Sequence, residues 1–417
     1  MKKILILATV LWALDSYSYQ TPESYPFPIK DRYLASMLSK ISALFIKTES
    51  NYTFYDLKIK EGRGKVPFFK GRDKVRIGAF THDKKPRPLT FVLSGFGGQA
   101  LSPNSKILAT SLYRSGHNVI TLTNPLHWSF GLAASTSGMP GITQKDVEDI
   151  YEYMKISRAK VVKSKKIKIS EVNLIGYSLG ALQSAFLSKL DEKKQSFNFK
   201  KVFMLNSPYN LGTSASQIDG LVKLYKSFSP SKKEWLNKMV YYIAFSGRSG
   251  KLKVNSFADI AKVNPFSSTD LMALIGRGFN EGMSESILVS ELIRQDGYIT
   301  VDRDHYSPQP ALSEAKAMSF YEYFENIVYD YAVKNLGVNY SLEELIAKNS
   351  IDGVKDYLKS TKKVYLFHTA DDFILGPNDI QKFDNIFGNR MIVYPHGGHC
   401  GQYWFPVFIK DMLGLLL

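Results

Sequence analysis

"NLIGYSLGALQSAF", Asn173 to Phe186, is the segment from which the rest of the chain can be placed. An apolar run ends at Gly176-Tyr177-Ser178-Leu179-Gly180, and a helical pattern follows at once. A Gly-x-Ser-x-Gly match alone is a modest signal, because average residue usage produces one about 0.2 times in a chain of this size. Its place at a strand-to-helix junction carries more. A serine on so sharp a turn takes strained backbone geometry. The residues two before and two after it must then be nearly free of side chain, and Gly176 and Gly180 meet that demand. The turn also aims Ser178 Oγ at a helix N-terminus, where backbone N–H groups favour a developing anion. The plainer alternative is one more serine buried in a βα junction.

The flanking pattern extends the junction into a fold. Upstream, "LTFVLSG" (Leu89 to Gly95) and "HNVITLT" read as strands, separated by a helix ending at Gly116. "TQKDVEDIYEYM" has Thr143 and Asp146 at capping-box spacing, with Val147, Ile150, Tyr151 and Met154 at helical spacing. Downstream, "FKKVFMLN", "KKVYLFH" and "RMIVYPH" read as further strands, and a helix closes the chain. Strands apolar on both faces, each followed by a helix, imply a mostly parallel sheet flanked by helices. "YTFYDLKIK" and "VRIGAF" read as an antiparallel pair ahead of it, after a helix over Arg32 to Ile46. Between Pro208 and Thr361 the alternation stops and the pattern turns helical. The expected organisation is a leader over 1–18, an α/β core over 19–207 and 362–417, and a large helical cap insertion over 208–361. Such a cap covers the carboxyl edge of the sheet, where open α/β sheets bind ligands. A separate helical domain with no role in the site is the alternative.

A serine nucleophile needs a base, an orienting carboxylate and oxyanion donors. Seven histidines are present. "YPHGGHCGQ" places His396 and His399 just after the last strand, and flanking glycines let the His399 loop close over the strand ends. His399 is the expected base. "LFHTADDFIL" supplies Asp371 and Asp372 after the preceding strand. Asp371 is the expected carboxylate, and the choice between it and Asp372 stays open. "LSGFGGQ" follows the Leu89–Gly95 strand, so the expected oxyanion donors are the N–H groups of Leu179 and Phe96, with Gly97 second.

These stretches, in the order Ser, Asp, His, make the chain resemble the α/β-hydrolase superfamily over Tyr52 to Ser207 and Lys362 to Leu417. "LNSPYNLGTSASQIDG", "TADDFIL", "GGHCG" and the pair "ITVDRDHYS" and "AMSFYEYF" further resemble its YheT-type branch. Phe373 departs from the proline of that branch, and Ser94 stands where hydrolases often carry histidine. The resemblance implies serine-ester chemistry without fixing a substrate.

Composition bounds the partners. Of 417 residues, 44% are hydrophobic and 22% charged, which supplies a large core. The net charge of +16 favours anionic surfaces, an anionic membrane among them. The densest basic stretch, Lys155 to Lys168, reads as a helix end and loop, and no base-reading module accompanies it, so nucleic acid is not an expected partner. No ligand cluster argues for a metal, and no organic cofactor is expected. Lys2 and Lys3, the apolar run Ile4 to Leu14 and the small-x-small site Ser16-Tyr17-Ser18 read as a cleavable signal peptide of a secreted or periplasmic protein. Cys400 is the only cysteine, so no intramolecular disulfide forms. Oligomeric state is not legible. In the insertion, Trp235 to Phe245 and Phe320 to Tyr331 are rich in apolar residues that bury against one another, and part of these faces is expected to line an acyl pocket. The expected activity is carboxylic ester cleavage, with lipidic or medium-chain acyl groups slightly favoured. Amide or peptide cleavage, with Asp302, Asp304 or Glu322 holding a charged terminus, is a second reading. A catalytically idle lipid- or partner-binding protein is a third.

Overall fold

The computed structural model describes residues 17–42, 52–248, 264–301 and 307–416. The expected leader, except for Tyr17 and Ser18, lies outside the described residues, as does the end of the first expected helix, which is described over Arg32–Ser42.

The strands are β1 (Tyr52–Leu57), β2 (Val75–Phe80), β3 (Pro86–Leu93), β4 (Asn118–Leu122), β5 (Lys168–Tyr177), β6 (Val202–Leu205), β7 (Val364–Thr369) and β8 (Met391–Tyr394). They form one eight-stranded sheet in the order β1-β2-β4-β3-β5-β6-β7-β8. β2 runs antiparallel to β1 and β4, and the remaining pairs are parallel. The inner strands are buried on both faces, β4 and β6 throughout, which is why they read as continuous apolar runs, whereas the edge strand β1 is partly exposed. Phe91, Leu174, Met204 and Leu366 point into one core, and Val92, Ile175, Phe203 and Phe367 into the other. The chain order reverses at β3, which pairs with β4 on one side and β5 on the other. The crevice beyond the carboxyl ends of such strands is where an α/β sheet takes a ligand.

Between β6 and β7 the described residues contain helices and no strand. Helix Leu211–Ser227 and the long helix Ser268–Arg294 pack so closely that a Cβ on Gly276 would sit 2.3 Å from Leu221 O. Ser214 Oγ donates to Ile374 O at 2.8 Å, and Ser286 Oγ donates to Leu126 O at 2.9 Å. These bonds tie the helical insertion to loops at the strand ends. Among the described residues no helix is long and apolar enough to cross a membrane.

The expected capping box at Thr143 and Asp146 does not form. Helix Thr143–Lys165 begins at Thr143 itself, with no side-chain cap. Asn349 of the insertion takes Thr143 instead, accepting from its N–H through Oδ1 at 2.7 Å and from its Oγ1 through O at 2.8 Å. Asp146 reaches back to the N–H of Gly141 at 2.9 Å. A tertiary partner has displaced the local one, which a short-range motif cannot register.

Candidate active site

Ser178 sits between β5 and helix Leu179–Lys194, at φ 55° and ψ −128°. A non-glycine residue at positive φ is strained, and here the surroundings hold it. Its N–H donates to Leu205 O at 2.8 Å, and its carbonyl accepts from Ala181 N at 2.9 Å. The flanking glycines are sterically required. A Cβ on Gly176 would lie 2.1 Å from Gly180 O, and one on Gly180 would lie 2.4 Å from Ser94 O.

Ser178 Oγ lies 2.8 Å from Nε2 of His399. His399 Nδ1 lies 2.9 Å and 3.1 Å from the two carboxylate oxygens of Asp372. With Nδ1–H donating to Asp372, Nε2 keeps its lone pair and accepts the Ser178 hydroxyl proton. Asp372 is fully sequestered, and burial alone would raise its pKa. The facing His399, with His368 and Asn206, outweighs that and holds the carboxyl below its ordinary range. For His399, burial opposes the charged ring, but Asp372 prevails and holds the imidazolium above its ordinary range.

The carboxylate facing His399 is therefore Asp372, and the expectation of Asp371 is corrected. Asp371 points the other way and accepts from the N–H groups of Gly398 at 2.8 Å and Gly397 at 3.3 Å. It shapes the histidine loop rather than touching the ring. Burial raises its pKa, partly offset by those two bonds. His396 is not the histidine that bonds Ser178, and its charge bears on Asp371 instead.

Several residues around this chain of bonds were not anticipated. Asn206, at φ 49° just past β6, donates through Nδ2 to Asp372 Oδ2 at 3.0 Å, and Gln402 donates to Asn206 Oδ1 at 2.7 Å. The tolerance of asparagine for left-handed backbone at a strand end was the one signal available. Ser36, on helix Arg32–Ser42, accepts from His399 N–H at 2.8 Å. A Cβ on Gly398 would strike Arg32 O at 2.0 Å, so this N-terminal helix presses directly on the histidine loop. Nothing local in the sequence ties that helix to a loop so far along the chain.

The loop after β3 faces Ser178. Gly98 N–H donates to Gly95 O at 2.9 Å, closing a turn with Gly97 at φ 63°. A Cβ on Gly95 would come 2.8 Å from that of Ser178. Among the described residues, neither the N–H of Phe96 nor that of Leu179 donates to a protein acceptor. Ser94, in the position hydrolases often give to histidine, is buried and donates to Leu122 O at 2.7 Å. Phe373 packs edge-on to the His399 ring at 5.6 Å.

Two cavities meet at Ser178 and His399. One, of about 320 Å³, runs past Gly95, Phe96, Gly97 and Phe373. The other, of about 70 Å³, is walled mainly by apolar residues of the insertion, including Ile218, Met283, Phe320 and Phe324. Of the three insertion carboxylates considered for a charged terminus, Asp302 and Asp304 lie outside the described residues. Glu322 accepts from Ser319 N–H in a capping box at the surface. Cys400 is buried beside the histidine.

No protein-family profile matches the chain, and no curated protein matches it. Solved structures with a similar fold include an esterase of Pyrococcus furiosus, at 14% identity and TM-score 0.41, covering 88% of this chain and 92% of that one. Fungal esterases from Rhizomucor miehei align at 15% identity and TM-score 0.43, covering 94% and 92%. A proline iminopeptidase of Mycobacterium smegmatis aligns at 14% and TM-score 0.39, covering 87% and 97%. These similarities are distant. The strand order, the antiparallel β2 and the serine turn after β5 are themselves those of the α/β-hydrolase fold.

Proposed function

We propose that the chain is a serine hydrolase that cleaves carboxylic esters through an acyl-enzyme. The observation that carries this reading is the bonded series Ser178, His399, Asp372 at the strand ends, with Ser178 on a strained turn. His399 takes the Ser178 proton as Oγ attacks the ester carbonyl carbon. The N–H groups of Leu179 and Phe96 receive the oxyanion, with Gly97 beside them. The tetrahedral adduct collapses, and His399 returns the proton to the departing alcohol. Water, deprotonated by His399, then attacks the acyl carbon and releases the acid and free Ser178. The apolar cavity under the insertion supports an acyl site, and the wider cavity supports an alcohol site. A medium-chain acyl group fits this division.

The leader read from the sequence supports a secreted or periplasmic setting. An anionic membrane surface is the proposed environment of the substrate, supported by the charge of +16 and by aromatic residues exposed on helix Pro230–Arg248.

Fluorophosphonate labelling tests the reading. The folded protein is expected to be labelled at Ser178, and Ser178→Ala to be unlabelled. Labelling that survives the substitution, or none in well-folded wild type, would overturn it.

A further inference from the structure

The narrow cavity is apolar only in part. Thr143, Asp146, Gln183, Ser214 and Tyr323 are among the residues that line it. Most of these are engaged within the protein. Thr143 Oγ1 donates to Asn349 O and Ser214 Oγ to Ile374 O, each at 2.8 Å, and the Tyr323 hydroxyl donates to Pro140 O. Gln183 Oε1 accepts from Asn124 Nδ2 at 2.8 Å.

Gln183 Nε2 makes no hydrogen bond among the described residues, and Asp146 is likewise half engaged. It is 4% exposed, and its Oδ2 accepts from Gly141 N–H at 2.9 Å. Its Oδ1 accepts no hydrogen bond from another described residue. No lysine or arginine pairs with it there, and the charge that bears on it is another carboxylate, Asp149. Burial therefore raises the pKa of this carboxyl well above the ordinary range, which favours its neutral form. A carboxyl accepts from a hydroxyl in either protonation state, and its neutral form can also donate to one. Left unmatched in an apolar cavity, such a group costs stability that a leucine of similar size would not. The wall also holds Phe96, Leu126, Phe320 and Phe324, so Asp146 and Gln183 stand out against an otherwise apolar lining.

We infer that this cavity selects acyl groups bearing a hydroxyl, recognised by Asp146. The inference rests on the reading of Ser178 as nucleophile and of the adjoining cavity as the acyl site. Discrimination follows from asymmetry. An apolar wall gains little by rejecting a hydroxyl, whereas a buried polar group left unpaired penalises the chain that lacks one. Asp146 is a specificity residue and takes no part in proton transfer at Ser178.

The test compares p-nitrophenyl hexanoate with p-nitrophenyl hexanoates carrying one hydroxyl at successive carbons from C3 to C6. Wild type is expected to favour at least one hydroxylated ester by roughly tenfold or more in kcat/KM. Asp146→Leu is expected to abolish that ratio. Asp146→Asn, whose amide still donates and accepts, is expected to keep most of it. A purely structural role would change both rates together and leave the ratio unmoved. Should Asp146→Leu not fold, thermal shifts of Ser178→Ala protein by the matching hydroxyhexanamide and by hexanamide supply the same comparison, with a larger shift expected for the former. Equal rates across the wild-type series, or an unchanged ratio in Asp146→Leu with Ser178 still reactive to fluorophosphonate, overturns the inference alone. A preference for 6-aminohexanoate that depends on Asp146 overturns it in favour of a cation site. Loss of Ser178 reactivity in wild type overturns the hydrolase reading itself, and this inference with it.

Discussion

At the level of single residues, the adjacent pair Asp371 and Asp372 divides two tasks. Asp372 faces His399, and Asp371 holds the backbone of Gly397 and Gly398. Asp372→Asn is expected to lower kcat by about 10³- to 10⁴-fold, because the amide no longer fixes the tautomer or balances the imidazolium. Asp371→Asn keeps an acceptor for the loop and is expected to cost roughly tenfold or less, since it touches no reacting group. Initial rates on p-nitrophenyl butyrate distinguish the two. The pH profile gives a second check. The base is the neutral ring, so kcat/KM rises with pH as His399 loses its proton. Asp372 holds that proton on, placing the rising limb above the ordinary histidine value of about 6.5. In Asp372→Asn the limb is expected to move to lower pH, read from the residual rate. A limb that stays in place would contradict the electrostatic role given to Asp372. Sequence supplied the pair and its place after β7, but not which member turns inward. That choice is made by Asn206 and the His399 loop, both remote in sequence.

At the level of elements, periodicity sufficed where both faces of a strand are buried. All of the strands read from alternation or apolar runs are present, and the described residues between β6 and β7 contain helices and no strand. Reading failed where a partner from another element replaced a local one. Thr143 is the clear case, because Asn349 satisfies the group that a capping box would have used. Helix Arg32–Ser42 is another: a helix was expected there, but its contact with the histidine loop through Ser36 was not. The serine turn was legible because its constraint is steric and local. Gly176→Ala tests that constraint. Its Cβ would meet Gly180 O at 2.1 Å and Ser184 Oγ at 2.2 Å, and the first of these is backbone that cannot rotate away. Destabilisation of about 1–3 kcal/mol or more is expected from urea unfolding, with loss of fluorophosphonate labelling as Ser178 shifts. Unchanged stability together with unchanged labelling would remove the steric account of the turn.

At the level of the whole molecule, the charge and the insertion point the same way. On helix Pro230–Arg248, Tyr241, Tyr242 and Phe245 are 73%, 60% and 52% exposed, and Trp235 and Val240 are partly so. Lys232, Lys233 and Lys238 lie on the same helix, which carries Glu234 as its one acidic residue. Arg277 Nη1 donates to Asn237 Oδ1, joining this helix to the long helix one residue before Gly278, which lines the wider cavity. Aromatic side chains with a polar tip suit a bilayer interface, and lysines suit anionic headgroups. Sedimentation with phosphatidylcholine vesicles containing phosphatidylserine is therefore expected to capture the protein, with weaker capture by phosphatidylcholine alone. Raising the salt to 1 M contracts the Debye length from about 10 Å to about 3 Å and is expected to release most of it. Tyr241→Ser with Phe245→Ser should weaken capture at low salt while leaving hydrolysis of a soluble butyrate ester intact, since neither side chain lines the cavities at Ser178. Salt-sensitive capture that is indifferent to those substitutions would assign binding to diffuse charge, such as the basic stretch Lys155 to Lys168. Capture unaffected by lipid charge would remove the electrostatic part and leave the aromatic face as the whole of the attraction.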